Sequence, residues 1–575
     1  MFPGSLVKRI ILLLLAANLL MGLGRIAVLP PFDDFDETAH YSRIEAAAFA
    51  LPDANAAFLS ADVVEYSRHG PMTPWWIRTQ AILPAYNQAI EAGKPMQLDL
   101  GKQIKKQGYK DFRAFFSGPD AAKDYRQRYR ERPGPAGYSA SPEGNWEYQH
   151  PALYYLIMGR VLRLAEDAPL IQRLLVLRSA SFLMAFAGFA IGLFATLRHL
   201  EIRGHPDARA VAALGAFYPF VMPAFFPEFA RLGNDSLCLL LFSAVWTLML
   251  WHLRRPREAA LWALLGVAMG YAWLAKAFMI PVTCGLLLFM SLQQPPPEAG
   301  KTRAWAKRLW RRLLPALTAG AAACAIGIWP YMPGQGSRTL GSIEINDVLH
   351  GAGILAGDGV PWIKIFSNPW FMLASAAYNI ADVKAAYAPV ALITAALLML
   401  ALVFGAWLLR LPRDPRREEW LPLYPLFPLG GGLLLHCVLM AIAYRTAGTT
   451  PGHYFHVEAP ALALMFGIGL LYWARRREGR IFGGILLAAA AVAVAVTTAL
   501  RLALFTGCAW LSDNFINLNI DRQGEACRPS VIYERLALLS SPALGLPLLA
   551  GAMALFLAAA GMALPCFTGM RKPGK

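Results

Sequence analysis

The sequence predicts an all-α polytopic membrane protein with about twelve transmembrane helices and a large first loop on the outer side of the membrane. Three observations predict this class. The 575 residues are 57% hydrophobic and only 16% charged, whereas soluble domains carry about 25% charged residues. The apolar residues form blocks of about 20, the length that crosses a hydrocarbon core. Basic residues recur in the short segments between alternate blocks.

The apolar blocks divide the chain into transmembrane groups and outer loops. The predicted spans are 10–29, 172–197, 208–227, 236–253, 258–275, 278–292, 313–331, 385–409, 423–443, 455–473, 481–503 and 543–565. The resulting regions are a first helix (1–29), a first outer loop (30–171), helices two to seven (172–331), a second loop (332–384), helices eight to eleven (385–503), a third loop (504–542), and a last helix with a basic tail (543–575). The first block lacks a clear cleavage site and is long for a signal peptide, so we expect it to be retained.

The short basic loops predict the orientation of the chain. If the twelve blocks alternate, these loops lie on the same side as Lys8 and Arg9, which the positive-inside rule makes cytoplasmic. Both termini are then cytoplasmic. The net charge of +17 is explained by this distribution, and we do not expect nucleic-acid binding. The Ala-, Arg- and Gly-rich composition favours a bacterial inner (cytoplasmic) membrane.

A cluster of acids begins the first outer loop. Asp33, Asp34, Asp36 and Glu37 lie within five residues, and His40 follows them. Crowded carboxylates raise at least one pKa unless a cation or metal offsets them, so the cluster could act as a general base or bind a divalent cation. The alternative is helix capping by Asp34 or Asp36, which accounts for one carboxylate rather than four.

Two amphipathic segments bracket the same loop. Glu37–Leu51 and Tyr154–Leu164 each place apolar residues on one helical face, and we expect both to lie along the membrane surface. Just before the second, His150 is a candidate proton carrier or metal ligand. The alternative is a surface histidine beside aromatic membrane anchors.

Further polar residues lie at the outer ends of later helices. Lys276 and Arg445 are candidates to bind a phosphate, although snorkelling to the interface also explains Lys276. The turn before the fourth helix holds Asn234 and Asp235, of which Asp235 could instead be a helix cap. Few ionisable residues map to mid-membrane, which favours a reaction at the outer surface over an ion pathway.

Two of the seven cysteines differ from the rest. Cys508 and Cys527 bracket a polar segment in the third outer loop, whereas the other five lie in apolar blocks. If that loop faces an oxidising compartment, the two thiols could form a disulfide. The sequence leaves this pairing open.

Four short motifs resemble those of a known superfamily. They are Pro30-Pro31 followed by Asp36-Glu37-Thr38-Ala39-His40, His150-Pro151-Ala152-Leu153-Tyr154-Tyr155, Asn234-Asp235, and Pro451-Gly452-His453-Tyr454 before an apolar helix. Together they resemble the GT-C superfamily of polyprenyl-phosphate-sugar-dependent glycosyltransferases. The greatest likeness is to a bacterial membrane-protein branch called domain of unknown function 2142. The layout is also similar to the protein O-mannosyltransferase and lipid A aminoarabinose-transferase groups.

The resemblance implies transfer of a sugar from a polyprenyl-phosphate carrier to a glycan, lipid or protein acceptor on the outer face, with inversion. It implies a first-loop acid as base, Asp36 first and Glu37 next. Supporting residues or ligands of a divalent metal (Mg²⁺ or Mn²⁺) would be Asp33, Asp34, His40 and His150. Phosphate would contact Lys276, Arg445 and His453, and Tyr154, Asn234 and Asp235 would complete the site.

Two other functions are compatible with the composition. A transporter or flippase of a lipid-linked saccharide would show inverted repeats and a polar pathway through the bilayer, and the sequence has neither signal. A non-catalytic envelope assembly protein would use the acid cluster only for helix caps.

Overall fold

The computed structural model describes residues 4–33, 36–50, 57–73, 110–118, 120–132, 137–145, 147–148, 150–254, 259–292, 302–332, 362, 372–373, 375–377, 390–414, 417–444, 452–511, 518–521 and 524–569. Within them the chain is mainly helical, as predicted. The α-helices are α1 (Gly4–Val28), α2 (Glu37–Phe49), α3 (Ala61–His69), α4 (Phe112–Phe116), α5 (Ala121–Tyr125), α6 (Leu153–Arg163), α7 (Leu170–Ile202), α8 (Ala208–Gly215), α9 (Tyr218–Val221), α10 (Phe225–Ala230), α11 (Asp235–His252), α12 (Ala259–Trp273), α13 (Met279–Leu292), α14 (Thr302–Gly327), α15 (Val390–Leu408), α16 (Leu423–Tyr444), α17 (Ala459–Ala474), α18 (Arg477–Phe505), α19 (Pro529–Leu539) and α20 (Pro542–Gly569).

Short irregular helices and strands complete the described elements. A π-helix spans Arg126–Glu131, and 3₁₀-helices span Trp329–Tyr331, Glu418–Trp420, Gly452–Glu458 and Glu525–Cys527. The strands β1 (Phe58–Ser60) and β2 (Ala140–Gly144) pair antiparallel in the first loop, and β3 (Ala509–Leu511) pairs antiparallel with β4 (Leu518–Ile520) in the third. We did not predict these two small two-stranded sheets, because segments of three to five residues are too short to show an alternating pattern.

The helices confirm that the chain is an integral, polytopic membrane protein. In the described part, six helical segments are long and apolar enough to cross a membrane: Gly4–Val28, Leu170–Ile202, Asp235–His252, Gly452–Ala474, Ile481–Phe505 and Pro542–Leu564. Five shorter apolar helices coincide with further predicted blocks: Ala208–Val221, Ala260–Trp273, Met279–Ser291, Leu314–Gly327 and Leu397–Leu408. The number twelve itself stays a prediction.

The first and last helices pack against each other through glycines. A Cβ on Gly545 would lie 2.9 Å from the carbonyl oxygen of Gly24, and a Cβ on Gly24 would lie 2.9 Å from the backbone nitrogen of Leu549. Small residues let helix backbones approach closely. The resulting van der Waals contacts stabilise helix pairs in lipid, where the hydrophobic effect does not favour association. The two ends of the chain therefore meet in one helix pair.

The first loop folds over the end of the bundle where α1 ends. Its helix α2 packs on α6, and a Cβ on Gly159 would lie 3.0 Å from the backbone nitrogen of Ala48. We expected α2 to lie along the membrane surface, but it is buried on most sides, including the charged residues Glu37, Arg43 and Glu45. Its polar residues consequently find partners inside the protein.

Candidate functional site

The acid cluster follows α1 directly and turns the chain into α2. Asp36 occupies the N-cap position of α2 with φ 59°, in the left-handed region, and its side chain makes no capping hydrogen bond. Positive φ is uncommon outside glycine, although Asp and Asn adopt it more readily than most residues. Asp36 is half-buried.

Glu37 has a different environment from its neighbour. Its side chain is fully buried, and its carboxylate accepts hydrogen bonds from the Arg178 guanidinium on α7, with Arg178 Nε 2.7 Å from Glu37 Oε1. The backbone N–H of Leu232 donates to the same carboxylate over 3.1 Å. Glu37 therefore joins the start of the loop to α7 and to the α10–α11 turn.

Arg178 completes this junction. It also donates to the carbonyl oxygens of Leu29 and Pro30, at 2.9 and 2.7 Å. These two carbonyls directly follow α1 in the chain. Because its carboxylate is occupied by Arg178 and Leu232, Glu37 is suited to hold the loop in place.

Asp33, another acid of the cluster, has an ion-pair partner on a late helix. Asp33 is buried and pairs with Arg501 of α18, with Asp33 Oδ2 3.9 Å from the Arg501 guanidinium. Asp34 and Arg445, which we also predicted as site residues, lie outside the described residues.

Two of the predicted histidines, His40 and His150, lie beside the carboxylate of Glu147, which we did not predict as a site residue. Glu147 Oε2 lies 2.7 Å from His150 Nε2 and 3.8 Å from His40 Nε2. The other ring nitrogen of His40 hydrogen-bonds the Tyr155 hydroxyl at 2.9 Å. Burial lowers the pKa of His40 to about 3, so this imidazole is neutral at physiological pH. Burial disfavours ionisation of Glu147, but the adjacent His150 outweighs it and lowers the pKa of that carboxyl.

Arg43 of α2 positions this histidine–carboxylate group. It donates to the carbonyl oxygens of Glu147 and His150 at 2.7 and 2.8 Å, and its guanidinium stacks 3.9 Å from the centre of the Tyr155 ring. The helix that begins with Glu37 thus also holds the far end of the first loop.

Four buried charges form a second group at the turn between α10 and α11. Lys276 Nζ lies 3.0 Å from both carboxylate oxygens of Asp235, and Arg231 lies 2.6 Å from Glu228 and 3.6 Å from Asp235. Burial raises the pKa of Glu228 to about 7, despite the neighbouring Arg231. Burial disfavours the ammonium of Lys276, but Asp235 outweighs it and raises the pKa of that lysine.

This charge group is not explained by capping or snorkelling. Asn234 rather than Asp235 occupies the N-cap position of α11, and the Asp235 carboxylate pairs with Lys276. Lys276 is only 5% exposed. With two cations and two carboxylates, one of which has a pKa of about 7, the group carries a net positive charge whenever Glu228 is protonated.

Aromatic residues and one hydrogen bond surround this charge group. Lys276 Nζ lies 4.3 Å from the centre of the Tyr454 ring, which also packs on Phe278 with centroids 5.2 Å apart. The His453 ring packs on Tyr454 with centroids 4.3 Å apart. The acid cluster contacts the same region through Glu37, whose carboxylate accepts the backbone N–H of Leu232, the residue after Arg231.

Two further predicted residues brace the α10–α11 turn. Tyr154 shares a hydrogen bond with Ser181 at 3.0 Å and accepts one from the backbone N–H of Gly233 at 3.2 Å. Asn234 donates to the carbonyl oxygen of Ala275 at 3.2 Å, next to Lys276. Both are buried and fix the backbone around the charge group.

The metal that we predicted has no evident site in the described residues. Among them, no group of three or more His, Cys, Asp and Glu side chains is arranged to hold a metal ion. Asp33 is paired with Arg501, and His40 and His150 converge on the single carboxylate of Glu147. We derive no step that passes through a metal.

The third outer loop contains a disulfide. Cys508 and Cys527, 19 residues apart, form a disulfide bond. The sequence had left this pairing open. The bond closes the loop that contains the β3–β4 hairpin, and Cys508 O also accepts a backbone hydrogen bond from Asp521.

Several residues of the site were not in the predicted set. They are Glu147, Arg178, Glu228, Arg231 and Tyr155. Four left a signal in the sequence: Arg178 is a charge inside a predicted apolar block, and Glu228 with Arg231 and Glu147 with His150 have the i,i+3 spacing of local ion pairs. The contact between Glu147 and His40 left none, because the two residues are 107 positions apart in the sequence.

Comparisons with known proteins find similar solved structures. No protein-family model matches the chain, and no curated protein matches its sequence. The chain is similar to ArnT from Cupriavidus metallidurans bound to undecaprenyl phosphate, with 17% identity and a TM-score of 0.35 over 72% of this chain and 68% of that one. For the apo state of the same protein the values are 15%, 0.35, 72% and 67%. The roles proposed below rest on the contacts of this chain.

Proposed function

We propose that the protein is a GT-C-type glycosyltransferase, which moves a sugar from a polyprenyl-phosphate carrier to an acceptor hydroxyl at the outer face of the membrane. The observation that carries the proposal is the position of Asp36. Its half-buried carboxylate precedes Glu37, which accepts a hydrogen bond from the backbone N–H of Leu232, next to Arg231 in the buried group of two cations and two acids, at the end of a transmembrane bundle. This arrangement offers a proton acceptor and an anion-binding group at the place where a membrane-anchored donor would present its phosphate.

The reaction needs one proton acceptor. As the acceptor oxygen bonds to the anomeric carbon, its proton moves to the Asp36 carboxylate. The bond between the anomeric carbon and the phosphate oxygen breaks on the opposite side, so the configuration inverts. A carboxylate near the anomeric carbon also stabilises the oxocarbenium character of the transition state.

The reaction also needs a cation for the leaving phosphate. The group formed by Glu228, Arg231, Asp235 and Lys276 carries a net charge of about +1 when Glu228 is protonated, which burial favours. Fixed cations in a water-poor site stabilise developing negative charge more strongly than they do in water. His453, within range of the same group, would contact the same phosphate.

Transfer of labelled sugar from a panel of polyprenyl-phosphate sugars tests the proposal. We expect the purified wild type to transfer label and Asp36→Asn to lose at least about 100-fold in rate, the low end of general-base contributions. The matched control is Asp120→Asn, since Asp120 is an exposed acid in the same loop that makes no capping hydrogen bond. The control should retain the wild-type rate.

Two other results would change the assignment. If Asp36→Asn folds and keeps its rate, Asp36 is not the base, although the protein remains a transferase. If the wild type consumes no donor but carries intact lipid-linked sugar across a proteoliposome membrane, the protein is a transporter and the proposed function is wrong.

A further inference from the structure

The bundle contains a second feature at its opposite end. A cavity of about 500 Å³ lies between the first turns of α1, the last turns of α7 and the start of α8. This volume is within the range of roughly 300–1,000 Å³ that is typical of small-molecule sites. Because the acid cluster follows the other end of the 25-residue helix α1, about 35 Å separate the cavity from the candidate active site.

The cavity lining is divided into an apolar and a polar half along the helix axes. Ile11 and Leu12 of α1 and Phe194 and Leu197 of α7 line the half that lies deeper in the bundle. Leu12 and Phe194 are 50% and 44% exposed. In a membrane-spanning helix pair such exposed apolar side chains face lipid, so this half suits acyl chains rather than water.

The polar half lies at the helix ends. It is lined by Lys8, Glu201 and Arg209. Glu201 pairs with Arg209 over 2.8 Å and with Arg198 over 3.9 Å, so these two arginines and Lys8 outnumber the one carboxylate and the net charge is positive. Lys8 forms no ion pair within the described part of the chain, and its ammonium is available to an anion.

The Glu201 pair also fixes where the Arg209 guanidinium points. One of its nitrogens lies 2.6 Å from the position that a Cβ on Gly4 would occupy. The absence of a side chain at Gly4 therefore lets the guanidinium lie against the first turn of α1, across the cavity from its own helix.

We propose that this cavity binds an anionic phospholipid, with its phosphate between Lys8 and Arg209 and its acyl chains against Leu12 and Phe194. The occupant follows from charge and polarity together. A basic rim above an apolar slot between transmembrane helices matches a lipid that has an anionic headgroup and hydrocarbon chains. A soluble anion would use only the rim. The site is separate from the proposed transferase site and does not depend on that function.

Native mass spectrometry of the full-length protein, released from membranes that contain phosphatidylglycerol and phosphatidylcholine, tests this proposal. The wild type should retain phosphatidylglycerol in preference to phosphatidylcholine. Lys8→Gln/Arg209→Gln should retain it about 25-fold less well, since each basic residue near the headgroups contributes about fivefold. The matched control is Arg9→Gln, which removes a neighbouring positive charge that does not line the cavity and should bind like the wild type.

Three results would overturn the proposal. They are equal retention of the two lipids by the wild type, equal loss in Arg9→Gln and in the double variant, and displacement of the lipid by millimolar glycerol phosphate, which would identify a site for soluble anions. If the double variant does not fold, a photoreactive phosphatidylglycerol is used with the wild type. Labelling of 4–12 and 194–209 supports the site, and labelling confined to other helices contradicts it.

Discussion

Adjacent acids at the start of the first loop differ in how deeply they are buried. The Glu37 carboxylate is fully buried against Arg178, while Asp36 precedes the helix with its backbone in the left-handed region and its side chain half-buried. A buried ion pair stabilises little by itself, but removal of one partner leaves an uncompensated charge. The two positions should therefore respond differently to the same loss of charge.

Glu37→Gln should destabilise the protein by about 3–5 kcal/mol, because it leaves the Arg178 guanidinium buried without a counter-charge. Asp36→Asn should lower the transfer rate at least about 100-fold and should destabilise the protein less than Glu37→Gln does, because Asp36 is half-buried and Glu37 is fully buried. Thermal unfolding of both variants in detergent, measured beside the transfer rate, separates these effects. A Glu37→Gln protein of full stability but without transfer would make Glu37 the base instead.

Glu228 should make donor binding depend on pH. Below a pH of about 7 its carboxyl is protonated, and the group with Arg231, Asp235 and Lys276 is net positive. Above that pH the extra carboxylate opposes an anionic donor. We expect the affinity for the lipid-phosphate donor to fall by at least about fivefold between pH 6 and 8, since a unit charge near a phosphate is worth at least ~1 kcal/mol.

Titration of donor binding between pH 6 and 8 checks this expectation in the wild type and in Glu228→Gln. The variant cannot ionise at this position, so its affinity should stay at the acid-side value. A wild type without pH dependence, or a variant that keeps it, would show that Glu228 does not control the charge of the site.

At the scale of elements, α2 joins both ends of the first loop to the bundle. Its first turn binds α7 through Glu37, its middle holds the histidine group through Arg43, and its Glu45 lies 3.3 Å from Arg173 at the start of α7. Arg173 also lies 3.4 Å from Asp62 of α3. One guanidinium thus faces two carboxylates in a buried place.

This excess of carboxylates makes the stability of the loop depend on pH. Burial, helped by Asp62, raises the pKa of Glu45 to about 7. Between pH 4.5 and 7 the folded state holds a proton that the unfolded state has lost, so the unfolding free energy falls as pH rises through this window. The slope from one such group is at most about 1.4 kcal/mol per pH unit.

Glu45→Gln should remove this contribution. The variant and the wild type should have similar melting temperatures at pH 5, and the variant should be the more stable at pH 8. Glu65→Gln is the matched control, because Glu65 is exposed and pairs with a surface arginine, Arg128. A difference between Glu45→Gln and wild type that does not change with pH would exclude Glu45 as the titrating group.

In the molecule as a whole, the candidate functional site and the basic cavity lie at opposite ends of the bundle. The acid cluster and the Lys276 group lie where α1 ends, and the basic cavity lies where α1 begins. The Cys508–Cys527 disulfide is expected on the oxidising side of a membrane. The positive-inside rule gives the same orientation from Lys8 and Arg9.

Thiol labelling tests this orientation. A membrane-impermeant maleimide should label Lys123→Cys, an exposed position in the first loop, in cells whose outer barrier has been opened. Lys8→Cys should react only after the inner membrane is permeabilised, and the wild type gives the background from its own thiols. Labelling of Lys8→Cys from outside would invert the predicted topology.

The class of fold follows from the sequence alone, because the apolar blocks are long enough to cross a bilayer and the basic loops between them set the orientation of the chain. The sequence also located α2 and α6 within two residues at most of their ends, and it placed most of the ionisable residues of interest at one end of the bundle. These predictions depend on residues that are close together in the sequence, where the period of a helix is visible.

The partners of the buried charged side chains could be identified only in the tertiary structure. Glu37 with Arg178, His40 with Glu147, and Asp235 with Lys276 join positions that are 141, 107 and 41 residues apart. No local pattern encodes such pairs, since they arise where separate helices pack. Burial then sets the charge of each group, as for Glu228 and His40, whose pKa values shift in opposite directions for the same reason: an ion in a low-dielectric interior loses its water.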